Sequence, residues 1–239
     1  MNLVVDCGNT SAKVGIFDKH VLREHHTFII HETLENFLRQ RKEESIIVSS
    51  VSTDALVVAS WATQTKHKFI LNPALPIPIV NRYATPETLG VDRLAGICGA
   101  IQLFPGENTL LIDAGTCITY DFADKEKNYL GGAISPGLKM RFSAVHTFTA
   151  KLPLVDVIED PLLIGNSTET CIQSGVVNGT IAEINGVIAQ YNVKFKDLKV
   201  ILGGGDARFF ENKLKASIFA SPNVVLIGLN SILIHNVNL

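Results

Sequence analysis

Two stretches of this sequence share one outline. Asp6-Cys7-Gly8-Asn9-Thr10-Ser11-Ala12-Lys13 follows the apolar Leu3-Val4-Val5 and gives way to Val14-Gly15-Ile16-Phe17, and Asp113-Ala114-Gly115-Thr116 follows Leu110-Leu111-Ile112 and gives way to a second apolar run. Each offers a carboxylate, hydroxyls and backbone N–H groups that small residues leave approachable; the first adds the Lys13 ammonium. Consecutive N–H groups of that kind form anion-binding nests. Carboxylates beside phosphate oxygens suit Mg²⁺, which takes few protein ligands and keeps part of its water. Taken alone, either turn is equally an ordinary hairpin connection. A P-loop is disfavoured: it needs G-x-x-x-x-G-K-[ST] opening a helix, whereas one glycine precedes Lys13 and a strand-like run follows it.

Further loops add chemistry. Gly90-Val91-Asp92-Arg93 opens an apolar helical stretch. An acid and a base there read either as a solvated pair favoured by the helix dipole or as a proton acceptor beside a fork for a substrate carboxylate. Gly203-Gly204-Gly205-Asp206 follows a buried strand and leaves bare backbone for a flat ring or a ribose, though alone it is a flexible connector. Blander readings cover the rest. Cys7 and Cys117 are small fillers, His25 and His26 surface imidazoles, His146 and Trp61 packing residues, and Lys139 and Arg141 solvated helix charges.

The elements that must position these groups follow from periodicity. Strand, turn and strand are expected over 3–18, then a helix over 31–43, a strand at 45–51, a helix near 53–66, a strand at 68–71 and a helix at 91–103 that ends at Pro105-Gly106. The pattern then restarts: strands flank Asp113, another covers 128–134, and helices cover 138–149 and 167–192. A strand at 200–202, a last strand at 223–227 and a terminal helix complete it. The echo of Asp6 and Gly8 in Asp113 and Gly115, after a break near 105, predicts an internal duplication: lobes 1–105 and 106–239, each containing βαβ units, facing across a cleft.

Composition sets the bounds. Hydrophobic residues make up 46% of 239 and charged ones 18%, which favours sheets covered on both faces or a buried oligomer interface. No apolar run reaches the roughly 18 residues of a membrane span. The opening residues lack a basic n-region, so no signal peptide is expected and the protein is placed in the cytoplasm. The four cysteines are scattered and read as free thiols, and a net charge of −2 gives no footprint for nucleic acid.

DCGNTSAK, GVDR, DAGT, GGAISPG and IGNSTETCIQSG, in that order and spacing, resemble the type III pantothenate kinase family over essentially the whole chain. The resemblance implies an α/β fold of duplicated ribonuclease H-like lobes, of the actin/hexokinase/acetate kinase type, around a central cleft. It implies ATP-dependent phosphorylation of pantothenate, the entry step to coenzyme A. On its motifs, Asp6, Gly8, Asn9, Thr10 and Lys13 meet ATP phosphates and Thr116 meets ATP; beside the resemblance, the residues themselves suggest Mg²⁺ at Asp6 and the adenosine side at Gly204 in its bare-backbone loop. Asp92 accepts the hydroxyl proton, and Asp113 matches a monovalent cation site for K⁺ or NH₄⁺. Tyr83, Gly90, Val91, Asp92, Arg93 and Thr168 match pantothenate contacts, with Ser167 and Thr170 as alternative hydroxyls to Thr168. A homodimer that completes the substrate pocket across its interface is also implied. The competing readings are a kinase for another small carboxylate or alcohol and a non-catalytic regulatory relative. The latter is expected to lose one of Asp6, Asp92 and Asp113, all present here.

Overall fold

A computed structural model describes residues 1–29 and 31–239. The chain runs β1 (Asn2–Cys7), β2 (Ala12–Asp18), β3 (Val21–Phe28), α1 (His31–Arg39), β4 (Ser45–Ser50), α2 (Ala55–Trp61), β5 (His67–Ile70), β6 (Val80–Asn81) and α3 (Val91–Leu103). It continues with β7 (Thr109–Ala114), β8 (Cys117–Ala123), β9 (Asn128–Pro136), α4 (Leu138–Thr147), α5 (Thr168–Gln173) and α6 (Gly179–Lys194). The last elements are β10 (Lys199–Gly203), α7 (Ala207–Phe210), β11 (Phe219–Ala220) and α8 (Val224–Val237). Two compact units result. The first takes in Met1–Gly106, Phe122–Gly131 and Asn223–Leu239, the second Glu107–Asp121 and Gly132–Pro222.

In the first unit the sheet order is β3-β2-β1-β4-β5. β1 is antiparallel to β2 and parallel to β4, so its end residue Asp6 lies opposite Lys13 on one side and Ser49 on the other. Leu3, Val4 and Val5 are all fully buried, which requires cover on both faces. Leu34 and Leu38 of α1 and Val58 of α2 supply one cover. α8 packs against β1, β2 and β4 and supplies the other.

The strand expected at 223–227 is the first turn of α8 instead. Val224, Leu226, Leu229, Ile232 and Leu233 are buried between the sheet and α3, and an apolar run with no polar face does not reveal its period. Gly99 of α3 and Gly228 of α8 let the two helices touch backbone to backbone: a Cβ on Gly228 would run into the carbonyl of Ala95, and one on Gly99 into that of Val224. Buried Asn230 of α8 is satisfied by Asn2 (2.9 Å) and by the Lys19 carbonyl (2.7 Å), which ties the helix to the sheet.

The second unit repeats the scheme. Its strands run β11-β10-β7-β8-β9, and the parts of β8 and β9 that belong to the first unit add β6 at the edge. β7, with Leu110, Leu111 and Ile112 buried, lies parallel to β10 and sets Asp113 opposite Gly203. Asp6 and Asp113 thus close the central strands of two like-built sheets. The helix expected over 167–192 is interrupted: α5 passes through a π-helical turn, Ser174–Asn178, into α6. The helix expected near 53–66 shortens to α2, capped by Asp54, whose carboxylate accepts from Leu56 N at 2.8 Å.

Candidate active site

The first acidic turn is a tight reversal. Gly8 N donates to the Ser11 carbonyl at 3.1 Å, leaving Asn9 and Thr10 exposed at the tip, with Asp6 and Lys13 half-buried at its base. The loop after β4 braces it: Ser52 Oγ donates to the Gly8 carbonyl at 2.9 Å and Val51 N to the Cys7 carbonyl at 3.0 Å. Ser50 Oγ in turn accepts from Thr53 N at 3.0 Å. These serines were not singled out from the sequence, although a Ser/Thr run after a buried strand is the signature of such side-chain turns. Beside the turn a cavity of about 200 Å³ is lined by polar Asn9, Thr10 and Ser52 and by apolar Phe28 and Leu34.

Cys7 lies under this turn as a filler. Burial first, and the Asp6 carboxylate second, push its thiol up to about 11. Its thiolate fraction near neutrality therefore falls roughly a hundredfold below that of an ordinary cysteine. Alkylation by iodoacetamide, followed by peptide mass mapping, is expected to leave Cys7 and Cys98 unmodified in the folded protein and to label both in denaturant. Rapid labelling of Cys7 in the native state would contradict this.

In the second unit the other turn is packed by glycines. Gly115 N donates to the Cys117 carbonyl at 2.9 Å, Gly137 N to the Thr116 carbonyl at 3.1 Å and Asp206 N to the Ala114 carbonyl at 2.8 Å. Gly204 adopts φ +91° with its α-carbon against the Ala114 backbone, where no Cβ fits, and a Cβ on Gly137 would overlap the Gly115 and Thr116 carbonyls. The structure thus gathers Asp113, Thr116, Gly204 and Asp206, and adds Gly137 to the set. Thr116 is exposed and Gly205 faces open space. Burial raises the Asp206 carboxyl, against the opposing pull of the Lys139 charge.

The third cluster sits at the front of α3, again in the first unit. Gly90 precedes the helix, and the absence of a side chain leaves room for the Asp92 carboxylate, since a Cβ would meet Oδ1 at 2.6 Å. Oδ1 accepts from Arg93 N at 2.9 Å. Arg93 is only 8% exposed, so the reading of a solvated surface pair does not hold. Its guanidinium carbon lies 5.8 Å from the centroid of the Tyr83 ring. Tyr83 in turn stacks at 6.0 Å and 13° on buried Tyr129, and Asn81 Oδ1 accepts from its backbone N at 3.0 Å. Tyr129 was missed, because β6 and β9 that bring it there pair over only two residues each.

Ser167, Thr168 and Thr170 separate cleanly. Ser167 caps α5 and accepts from Thr170 N at 3.2 Å, while Thr170 Oγ1 accepts from Ser167 N at 2.9 Å, a reciprocal capping box. Thr168 stands outside that box and is exposed. Two bland readings change. His146 is exposed, with Nδ1 donating to the Leu152 carbonyl at 2.7 Å, and Arg141 is enclosed by acceptors rather than solvated. Among the described residues no group of three or more His, Cys, Asp or Glu side chains could hold a metal ion.

Comparison with known proteins locates this arrangement. The crystal structure of a glucokinase from an Antarctic psychrotroph is similar over 98% of both chains with a TM-score of 0.54 at 12% identity, a likeness of fold alone. Two sheets of the ribonuclease H type, each ending its central strand in an acidic turn, make up an actin/hexokinase-like fold. A profile described as type III pantothenate kinase matches residues 2–190. The type III pantothenate kinase of Christiangramia forsetii is 45% identical over 99% of each chain, and that of Flavobacterium johnsoniae 42% identical over 96% of each. The chain belongs to the type III pantothenate kinase family.

Proposed function

We propose that this protein transfers the γ-phosphoryl group of ATP to the hydroxyl of pantothenate, giving 4'-phosphopantothenate and ADP, the first step toward coenzyme A. The observation that carries the reading is the Asp92–Arg93–Tyr83 group. In a family of kinases it places a carboxylate and a buried guanidinium on adjacent residues. Asp92 takes the hydroxyl proton as the oxygen forms its bond to phosphorus and the bond to the ADP oxygen breaks. Arg93 forks onto the substrate carboxylate, and Tyr83, Gly90, Val91 and Thr168 complete the contacts. Most of the rate gain is positioning and charge neutralisation.

ATP phosphates lie against Asp6, Gly8, Asn9, Thr10 and Lys13 of the first turn and Thr116 of the second, with the adenosine over the bare backbone of Gly204. Asp6, half-buried at a strand end, fits Mg²⁺, which needs only one or two carboxylates when phosphates and water supply the rest. That ion supplies charge neutralisation on the phosphates. Asp113, half-buried at the end of β7, fits a monovalent cation, K⁺ or NH₄⁺. Among the described residues no helix is long and apolar enough to cross a membrane, and the cytoplasm is the proposed compartment. A homodimer completing the substrate pocket is favoured by Leu162, Leu163 and Ile164, exposed at 61–81% just before Thr168.

The test is direct. Purified protein with ATP and pantothenate is expected to release ADP and form a product heavier than pantothenate by one phosphoryl group, read by mass spectrometry. Turnover of another hydroxy acid from a competition panel, with none of pantothenate, would overturn the reading.

A further inference from the structure

We infer that Arg141 is a positioning residue for the nucleotide: anchored by Glu183, it locks the Ser135-Pro136-Gly137 loop against the Gly115–Thr116 turn without itself touching substrate. The inference rests on the reading of that turn as an ATP site.

Arg141 lies one turn into α4 and reaches back past the start of the helix. Its Nε donates to the Pro136 carbonyl at 2.7 Å, and Nη2 donates both to Ser135 Oγ and to Glu183 Oε2, the latter at 2.7 Å. Only an arginine fork supplies donors in these directions at once; a lysine ammonium is a single compact charge. The anchor is itself held. Tyr120 OH donates to Glu183 Oε1 at 3.1 Å, so β8, α4 and α6 converge on one ion pair whose side chains are 21% and 30% exposed. Burial alone would raise the Glu183 carboxyl, but hydrogen bonds from Ser135 and Arg141, with the Arg141 charge, hold it below the ordinary carboxylate range. Burial and the Glu183 charge push the Tyr120 phenol up, which keeps it a donor.

The other end of the loop bears on the turn. Gly137 N donates to the Thr116 carbonyl, and the missing Cβ of Gly137 lets the two backbones meet where a side chain would overlap the Gly115 and Thr116 carbonyls. With backbone packed on backbone there is no soft side chain to absorb a shift, so loosening the loop displaces Thr116. Displacements of about 1 Å at a positioning group cost up to about a hundredfold in rate or affinity.

The experiment compares KM values for ATP and for pantothenate by ADP release. Arg141→Met is expected to raise the ATP KM roughly tenfold and leave the pantothenate KM within about twofold, and Arg141→Lys to raise the ATP KM about threefold. Lys199→Met, which removes an exposed ion pair with Glu107 in the same unit, is expected to change neither. Should Arg141→Met not fold, Ser135→Ala and Glu183→Gln weaken the same clamp and are expected to move the ATP KM alone. A parallel rise in both KM values, or an unchanged ATP KM across these variants, overturns the positioning role. Thr116→Val separates that failure from failure of the underlying reading. If Thr116→Val raises the ATP KM while the Arg141 variants do not, only the clamp is wrong; if it too leaves the ATP KM unchanged, the turn is no nucleotide site and the inference falls with it.

Discussion

Asp92→Asn is expected to lower kcat by about 10²–10⁴-fold, the range of a lost general base, with both KM values within a few-fold of the wild type. The substitution is chosen because it spares the structure. Asparagine keeps the shape of the side chain and an oxygen to accept from Arg93 N, now 2.9 Å from Oδ1, and the gap left by Gly90 takes an amide as readily as a carboxylate. What it cannot do is accept the proton of the attacking hydroxyl. The charge lost from the first turn of α3 costs about 0.3–1 kcal/mol in helix-dipole stabilisation, too little to unfold the protein. Steady-state kinetics on protein with an unchanged circular dichroism spectrum decide the matter. A folded variant turning over at the wild-type rate would remove Asp92 from the chemistry and leave Arg93 and Tyr83 as a binding site only.

The acids, the arginine and the glycines of this site were legible by residue type, and so were the hairpin β1–β2, helix α3 and the strands around Asp113, where apolar runs end at clear turn residues. What was not legible depends on partners distant in sequence. Gly137 and Gly204 announce room, but only the fold tells that the room is filled by the backbone of Ala114 to Thr116. Arg141 has the sequence context of a solvated helix charge; its acceptors include Glu183, forty-two positions away. β3 carries the polar Arg23-Glu24-His25-His26-Thr27 and forms a strand because it closes the edge of a sheet whose register β2 already sets. The Ser174–Asn178 turn shifts the hydrogen-bond ladder of one continuous helical stretch, a change that leaves the apolar period nearly intact.

The apolar run that opens α8 misleads the eye as a strand, and the packing of the same helix sets the second large effect. Gly228→Ala is expected to destabilise the protein by about 2–3 kcal/mol, the upper part of the range for overpacking a tight contact. That corresponds to a fall in Tm of about 5–10 °C for a chain of this length. The added methyl has nowhere to go: its position overlaps the Ala95 carbonyl and stands 2.6 Å from Gly99 N, all backbone atoms of α3. Relief requires the two helices to move apart, and α3 carries Asp92 and Arg93 on its first turn, so the pantothenate KM should rise beyond what the unfolded fraction explains. Gly186→Ala is the matched comparison. It lies within α6 with nothing near its Cβ position, and there the better helix propensity of alanine is expected to stabilise by up to about 1 kcal/mol. Opposite signs for one chemical change at two helical glycines follow from packing alone; a Gly228→Ala protein that melts at or above the wild-type temperature would mean that α3 and α8 do not meet at these residues.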